Sequence, residues 1–336
     1  MEIPTISILD PKALPPWGGL YLGAVRLLKQ VTFPPHWLRV LDDETRRQHF
    51  ERWLAHTLRL INRHLWPSYD PKQCRWMGES VGFMHDLTEA DLLLMLHIQH
   101  PASGGTEFDK NPESPLRSLS TSTHRDWFRQ EDGSGIFDSS SYYLGVADDQ
   151  VKAFANLCWA SDDNKQTPVS YRVKRRLQRP RAMQMALRWR LLQFEWEEAT
   201  TSLTPSMCSG HCLQGLLGVG AVIERLIQDG HLDDMGAALS RWAVDIGDRR
   251  VMAGVHYPSD SLCSWVIFLR MAEFVFERHE VKEMLAFAIK ESYVYGQITR
   301  FAATKEGAVY MEPLSLLGDS FADCPIPDRV DSIDID

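Results

Sequence analysis

Ser209-Gly210-His211-Cys212-Leu213-Gln214-Gly215-Leu216-Leu217-Gly218-Val219-Gly220-Ala221-Val222-Ile223-Glu224-Arg225-Leu226-Ile227 is the stretch whose reading decides the fold. Ser209 is suited to cap a helix. Leu213, Leu216, Leu217, Ile223, Leu226 and Ile227 then recur at helical spacing and form one apolar stripe. Gly215, Gly218 and Gly220 each cost a helix about 1 kcal/mol relative to alanine, which makes sense if another helix approaches closely. Working outward, helical patterns continue in both directions. Upstream, Asp148-Asp149 caps a segment with Val151, Phe154 and Leu157, Thr167-Pro168 opens another, and 183–198 is rich in Leu, Trp and Phe. Downstream, a helix runs from about Asp233 to Arg249 with Leu239, Trp242 and Ile246 inward, another starts at Pro258, and another near Val281. No strand alternation stands out. The expected class is all-α, a helical bundle.

The rest of the chain fits around this block. Residues 1–39 are rich in Pro and Trp, and Pro15-Pro16 and Pro34-Pro35 break any long helix there. Asp42 or Asp43 caps a helix with Phe50, Trp53, Thr57, Ile61 and Leu65 on one face, ended by Pro67, and a second helix is expected over 88–99. From about 101 to 147 the Ser-, Gly- and Asp-rich composition reads as a long loop, a surface insertion or a lid. Its aromatic residues Trp127, Phe128, Tyr142 and Tyr143 suit either a pocket mouth or burial against the bundle. The expected organisation is an N-terminal helical scaffold over 1–147, packed as part of one domain with a bundle over 148–295. An acidic tail over 318–336 has a composition that disfavours order.

Composition narrows the function. The 336 residues carry a net charge of −9, which argues against nucleic acid as the main partner. The N-terminus lacks a basic and apolar leader pattern, and the longest apolar run, Leu262–Leu269, is far short of the roughly 20 residues of a membrane span. A cytoplasmic protein with neither signal peptide nor transmembrane segment is therefore expected. The six cysteines are scattered like free thiols of a reducing compartment, and Cys208 and Cys212 have no second pair at zinc spacing.

Positive charge is instead local, in three clusters. The first runs from Tyr171 to Pro180 and holds Arg172, Lys174, Arg175, Arg176 and Arg179. On one continuous helix Arg172 and Arg179, seven apart, share a face, while Lys174 points roughly 140° away from Arg179. Arg172 and Arg179 are thus expected to clamp one anion and Lys174 to be excluded, unless the cluster is merely a solvated basic face. The second cluster, Pro205 to His211, puts Ser209 and Gly210 where a helix presents unpaired N–H groups and its positive dipole end, with His211 in the first turn. In the third, Asp248 to Asp260, Pro258 suits the first helical position. His256 lies just before that helix and Asp260 in its first turn, so Asp260 can accept the Nδ1–H of His256 and leave Nε2 with a free lone pair. Arg250 lies six residues upstream. Without an anion, this pair would simply staple a turn.

In this order the clusters resemble the signature of the type 2 phosphatidic acid phosphatase and vanadium-dependent haloperoxidase superfamily. That signature is Lys, six residues, Arg-Pro; then Pro-Ser-Gly-His; then Ser-Arg, five residues, His, three residues, Asp. The matches are Arg179-Pro180, Ser209-Gly210-His211, and Arg250, His256 and Asp260, over roughly 148–278. Arg172 stands where the family has Lys, Cys208 where it has Pro, and Arg249 where it has Ser. The resemblance implies a bundle of the haloperoxidase and acid phosphatase type and a phosphohydrolase acting on a small anionic phosphomonoester. His256 would attack phosphorus, His211 would protonate the leaving group, and Asp260 would orient His256. Arg172, Arg179, Ser209, Gly210 and Arg250 would hold the phosphate, with no metal and no other cofactor. The alternative within the family is a haloperoxidase with vanadate on His256. A third reading is a non-catalytic anion binder. Thr204, where haloperoxidases tend to carry an aromatic residue or His, and the run His256-Tyr257-Pro258-Ser259-Asp260 lean toward the phosphatase branch. Substrate identity and oligomeric state are not legible from periodicity.

Overall fold

The computed structural model describes residues 44–77, 81–100, 128, 132, 161–162, 165–166, 169–230, 232 and 235–322. The expected caps at Asp42 or Asp43 and Thr167, the segment 148–157, the acidic tail beyond 322 and nearly all of the 101–147 stretch lie outside the described residues.

The described chain is mostly helical, as its apolar spacing requires. Helix α1 spans Glu44–His64 and buries Phe50, Trp53, Thr57 and Ile61, and Leu65 just beyond its end, as the periodicity predicts. Helix α2, Val81–Gln99, starts seven residues before the expected Thr88. Between them Ser68–Asp70 (β1) and Arg75–Met77 (β2) pair as an antiparallel hairpin, and Ser161–Asp162 (β3) pairs with Lys165–Gln166 (β4). These hairpins correct the expectation of no strands; segments of two or three residues are too short to display alternation. Then follow α3 (Val169–Leu177), α4 (Ala182–Arg188), α5 (Gly210–Asp229), α6 (Met235–Met252), α7 (Pro258–Val275), α8 (His279–Lys290), α9 (Tyr293–Ala302) and α10 (Met311–Phe321). Helix α10 carries regular structure through Gly318, where the acidic tail was expected to begin, because Leu316, Leu317 and Ser320 are buried.

The 183–198 segment is the largest departure. Only Ala182–Arg188 is helical; Arg190 takes φ 56° and the chain leaves the helix. Its apolar residues do not form a stripe: Phe194 is buried while Leu192 is 95% exposed. The chain instead lies along the turn after α6, with Glu197 N–H donating to Ala253 O at 2.8 Å. Gly254, at φ 72°, makes this approach possible, since a Cβ there would fall 2.2 Å from Glu195 O.

Helix α7 is the hub. Every residue from Pro258 to Ala272 is buried, the pattern of a helix surrounded on all sides, and α1, α5, α8 and α10 pack against it. Helix α5 packs most extensively against α6. At Gly215 a Cβ would lie 3.0 Å from Ala243 O and from Ile246, so the close helix approach expected there is present. No described helix is long and apolar enough to cross a membrane.

Candidate functional site

Three chain reversals bring the site together. Helix α3 carries an apolar stripe of Val169, Val173 and Leu177, and Lys174 lies on its buried side. The helix ends at Leu177 because Gln178 adopts φ 46°, and Pro180 forbids its continuation. The phase argument that linked Arg172 to Arg179 therefore fails: the two residues do not share a helix. Arg172 instead forms a two-pronged ion pair with Glu51 of α1, at 2.7 and 2.6 Å. Arg179 is fully buried and held by carboxylates, 2.8 Å from Asp91 and 3.1 Å from Asp260. Neither is placed to clamp a free anion. Lys174 lies instead beside the Pro205 and Ser206 carbonyls, and Arg181 beside His256.

Arg181 precedes α4, and its backbone N–H donates to Gln184 Oε1 at 2.8 Å. Its guanidinium donates to Thr204 O at 2.7 Å, Thr204 Oγ1 at 3.0 Å and Val255 O at 3.0 Å, and lies 3.0 Å from His256 Nε2. Lys174 Nζ donates to Ser206 O at 3.1 Å and to Pro205 O. Burial, followed by the Arg181 charge, brings Lys174 down to about 7, and burial also lowers Arg181 to about 10. Arg250 contributes to both shifts, so the three cations lie within electrostatic reach of one another.

His256 and Asp260 adopt the expected arrangement. Tyr257 caps α7 and Pro258 opens it. Asp260 Oδ2 lies 3.0 Å from His256 Nδ1 and accepts Tyr257 N–H at 3.0 Å. Burial alone would raise the Asp260 pKa. The Arg179 charge, the His256 bond and the Ser206 hydroxyl outweigh it, so the carboxyl stays below the usual carboxylate range. An ionised Asp260 can only accept, so Nδ1 keeps its proton and donates it to Asp260 Oδ2, which leaves Nε2 as the lone-pair nitrogen, facing Arg181. Burial, then the Arg181 charge, pushes the His256 pKa well below its ordinary value, so the ring is neutral.

Ser209 caps α5 as predicted, its hydroxyl accepting Cys212 N–H at 3.4 Å. Its own N–H donates to Asp260 O at 3.3 Å, and Ser264 Oγ donates to Ser209 O at 2.9 Å. The starts of α5 and α7 are thereby tied together. His211 follows in the first turn of α5, 7% exposed, and Gly210 sits against Ser170 of α3, whose Oγ would be 3.5 Å from a Cβ. Arg250 is buried near the end of α6, with its guanidinium 2.5 Å from Asp132 and 4.3 Å from the Phe128 ring centre. Phe128 is thus buried against the bundle; Trp127, Tyr142 and Tyr143 lie outside the described residues.

Sequence reasoning missed four contributors. Lys174 and Arg181 have a legible signal, since they repeat the seven-residue interval of Arg172 and Arg179 and Lys174 follows Val173 on the apolar stripe. Asp132 has none, coming from a stretch with no periodicity. Asp91 is the fourth. Its carboxylate accepts from Ser259 N–H at 3.0 Å and from the Ser259 and Tyr310 hydroxyls, and it pairs with Arg179. It therefore fixes Arg179, which in turn holds Asp260. Among the described residues no group of His, Cys, Asp and Glu is arranged to hold a metal ion. The described cysteines 74, 208, 212 and 263 are free thiols.

The arrangement sets three buried cations, Lys174, Arg181 and Arg250, within electrostatic reach of one another and Arg181 against a neutral, oriented imidazole, the groups a tetrahedral oxyanion calls for. Its pH dependence follows from Lys174: the charge is present below about pH 7 and lost above it. Tungstate stays a dianion across the neutral range, so its affinity should fall as pH rises through 7. In Lys174→Gln affinity should be lower and the step near pH 7 absent. Calorimetric titration of both proteins across that range checks this; an unchanged step in the variant would remove Lys174 from the anion site. Compared with protein-family models, curated proteins and solved structures, the chain matches none.

Proposed function

We propose that the chain is a phosphohydrolase that cleaves a phosphomonoester through a phosphohistidine on His256. The observation that carries the reading is the imidazole polarised from both sides, with Nδ1 at 3.0 Å from Asp260 and Nε2 at 3.0 Å from Arg181. On substrate binding Arg181 would turn from Nε2 to a phosphoryl oxygen, freeing the lone pair for in-line attack on phosphorus. Arg250 and Lys174 would share the charge of the equatorial oxygens, as phosphoryl transfer demands. His211 would give its proton to the departing alkoxide and then take one from the water that hydrolyses the phosphohistidine. Lys174 and Arg181 also keep the Lys, six residues, Arg interval of the superfamily signature, two residues later than Arg172 and Arg179. This register recovers the Lys of the signature but gives up its Arg-Pro pair, since Ala182 follows Arg181.

The test is a pair of assays on one preparation, hydrolysis of 4-nitrophenyl phosphate and oxidation of bromide by peroxide, each with and without orthovanadate. Hydrolysis that vanadate inhibits is expected. Bromide oxidation that appears only after vanadate loading, with no hydrolysis, would replace this reading by the haloperoxidase one. Saturable binding with neither activity would leave the anion-binding role.

A further inference from the structure

A cavity of about 320 Å³ has none of Lys174, Arg181, Arg250 or His256 in its lining. It opens between the N-terminal half of α2, which supplies Met84, His85 and Thr88, and one face of α4 and its end, which supplies Met185, Arg188 and Trp189. Trp66, Trp76 and Tyr257 complete the wall. Arg179 lies behind it, stacked 4.3 Å from the Trp66 ring centre and 3.9 Å from that of Tyr257. Arg179 also pairs with Asp260, and His256 is not among the residues lining this cavity.

The chemistry of the wall selects its ligand. The indole N–H groups of Trp66 and Trp76 both donate to Leu177 O, at 3.1 and 2.9 Å. They offer no donor to the cavity, only aromatic carbon. Trp189 lies 5.1 Å from the ring of exposed His85, and Met84 and Met185 add adaptable thioethers. Charge enters at the rim alone. Arg188 is exposed and makes no ion pair among the described residues. His85 is weakly paired with Glu89 at 3.8 Å. Flat apolar walls favour a flat apolar body, because aromatic rings gain from offset or edge contacts, and the free guanidinium favours an anionic substituent at its edge. The volume is at the small end for ligand pockets, which run from about 300 to 1,000 Å³, and suits one or two fused rings.

We propose that this cavity binds a small planar aromatic anion, an aryl or fused-ring carboxylate, with the rings among the tryptophans and the carboxylate against Arg188. The site is independent of the phosphohydrolase reading, so either can fail while the other stands.

The probe is 2-naphthoate, titrated calorimetrically into the full chain. One saturable site is expected. The neutral alcohol 2-naphthalenemethanol should bind at least tenfold more weakly, as should the non-planar cyclohexanecarboxylate. Arg188→Gln and Trp189→Leu, both at solvent-accessible positions, should each weaken naphthoate at least tenfold while leaving tungstate binding unchanged. Tungstate binding also serves as the check that both variants are folded. Three results would overturn the proposal: no saturable binding to the native chain, affinity in both variants equal to that of the native chain, or displacement of naphthoate by tungstate. The last would put the ligand on the Lys174–Arg181 cluster instead.

Discussion

His256→Ala should lose phosphomonoesterase turnover by on the order of 10⁴-fold or more, the scale on which removing a nucleophile that works as part of a unit acts. The neutral ring has its Nδ1 proton committed to Asp260, so Nε2 is the nitrogen that can form the bond to phosphorus. Alanine removes it and leaves Lys174, Arg181 and Arg250 in place, so tungstate should still bind within about tenfold. This divergence between chemistry and binding distinguishes a nucleophile from a residue that only shapes the site. Asp260→Asn should produce a comparable loss, about 10⁴-fold, by stabilising the wrong tautomer. It should also cost stability, since Arg179 would lose one of its two buried counter-charges. The measurements are initial rates with 4-nitrophenyl phosphate, tungstate titration and thermal unfolding. Stable phosphorylation of the native chain, trapped by acid-free denaturation and absent from His256→Ala, would identify the intermediate. Turnover surviving in His256→Ala would remove the phosphohistidine route.

Much of this arrangement is legible in the sequence, and the places where it is not have physical causes. The His256–Asp260 pair and the Ser209 cap depend on no more than five residues of local backbone, so spacing alone fixes them. The helices α1, α5 and α7 announce themselves because long apolar stripes have one efficient way to be buried. The Arg172–Arg179 reading fails because it carries a helical phase across Gln178, and the single left-handed residue there resets the direction of everything after it. Pro180 is visible in the sequence as a stop signal, but the stop falls two residues before it. The 183–198 segment departs for a related reason: it is rich in Leu, Trp and Phe, but these apolar residues do not recur on one face, so composition suggests a helix that the spacing does not support. Asp91 and Asp132 were unreadable because their partners lie 88 and 118 residues away. No local pattern records which carboxylate will meet which arginine.

Arg181, Arg179 and Arg172 should give three different phenotypes on substitution by alanine. Arg181→Ala should cut turnover by about 10²–10³-fold, the effect of deleting one donor to a developing oxyanion, with tungstate affinity falling in parallel. Its fold should survive, because burial already disfavours the Arg181 charge and lowers its pKa to about 10, so removing it relieves a desolvation cost that partly offsets the lost bonds to Thr204. Arg179→Ala should act chiefly on stability. Its guanidinium is the shared counter-charge of Asp91 and Asp260 and is packed between Trp66 and Tyr257, and breaking a buried ion pair by deleting one partner costs about 3–5 kcal/mol. Arg172→Ala should change neither property much. Its bond to Glu51 is partly solvated, with side-chain exposures of 11% and 35%, and such pairs contribute at most about 1 kcal/mol. Initial rates and thermal unfolding on the three variants separate these outcomes. If Arg172→Ala instead abolished turnover in a fully folded protein while Arg181→Ala did not, the anion would sit on the opposite face of α3. His256 would then be a buried histidine stapling the start of α7, with no anion within its reach.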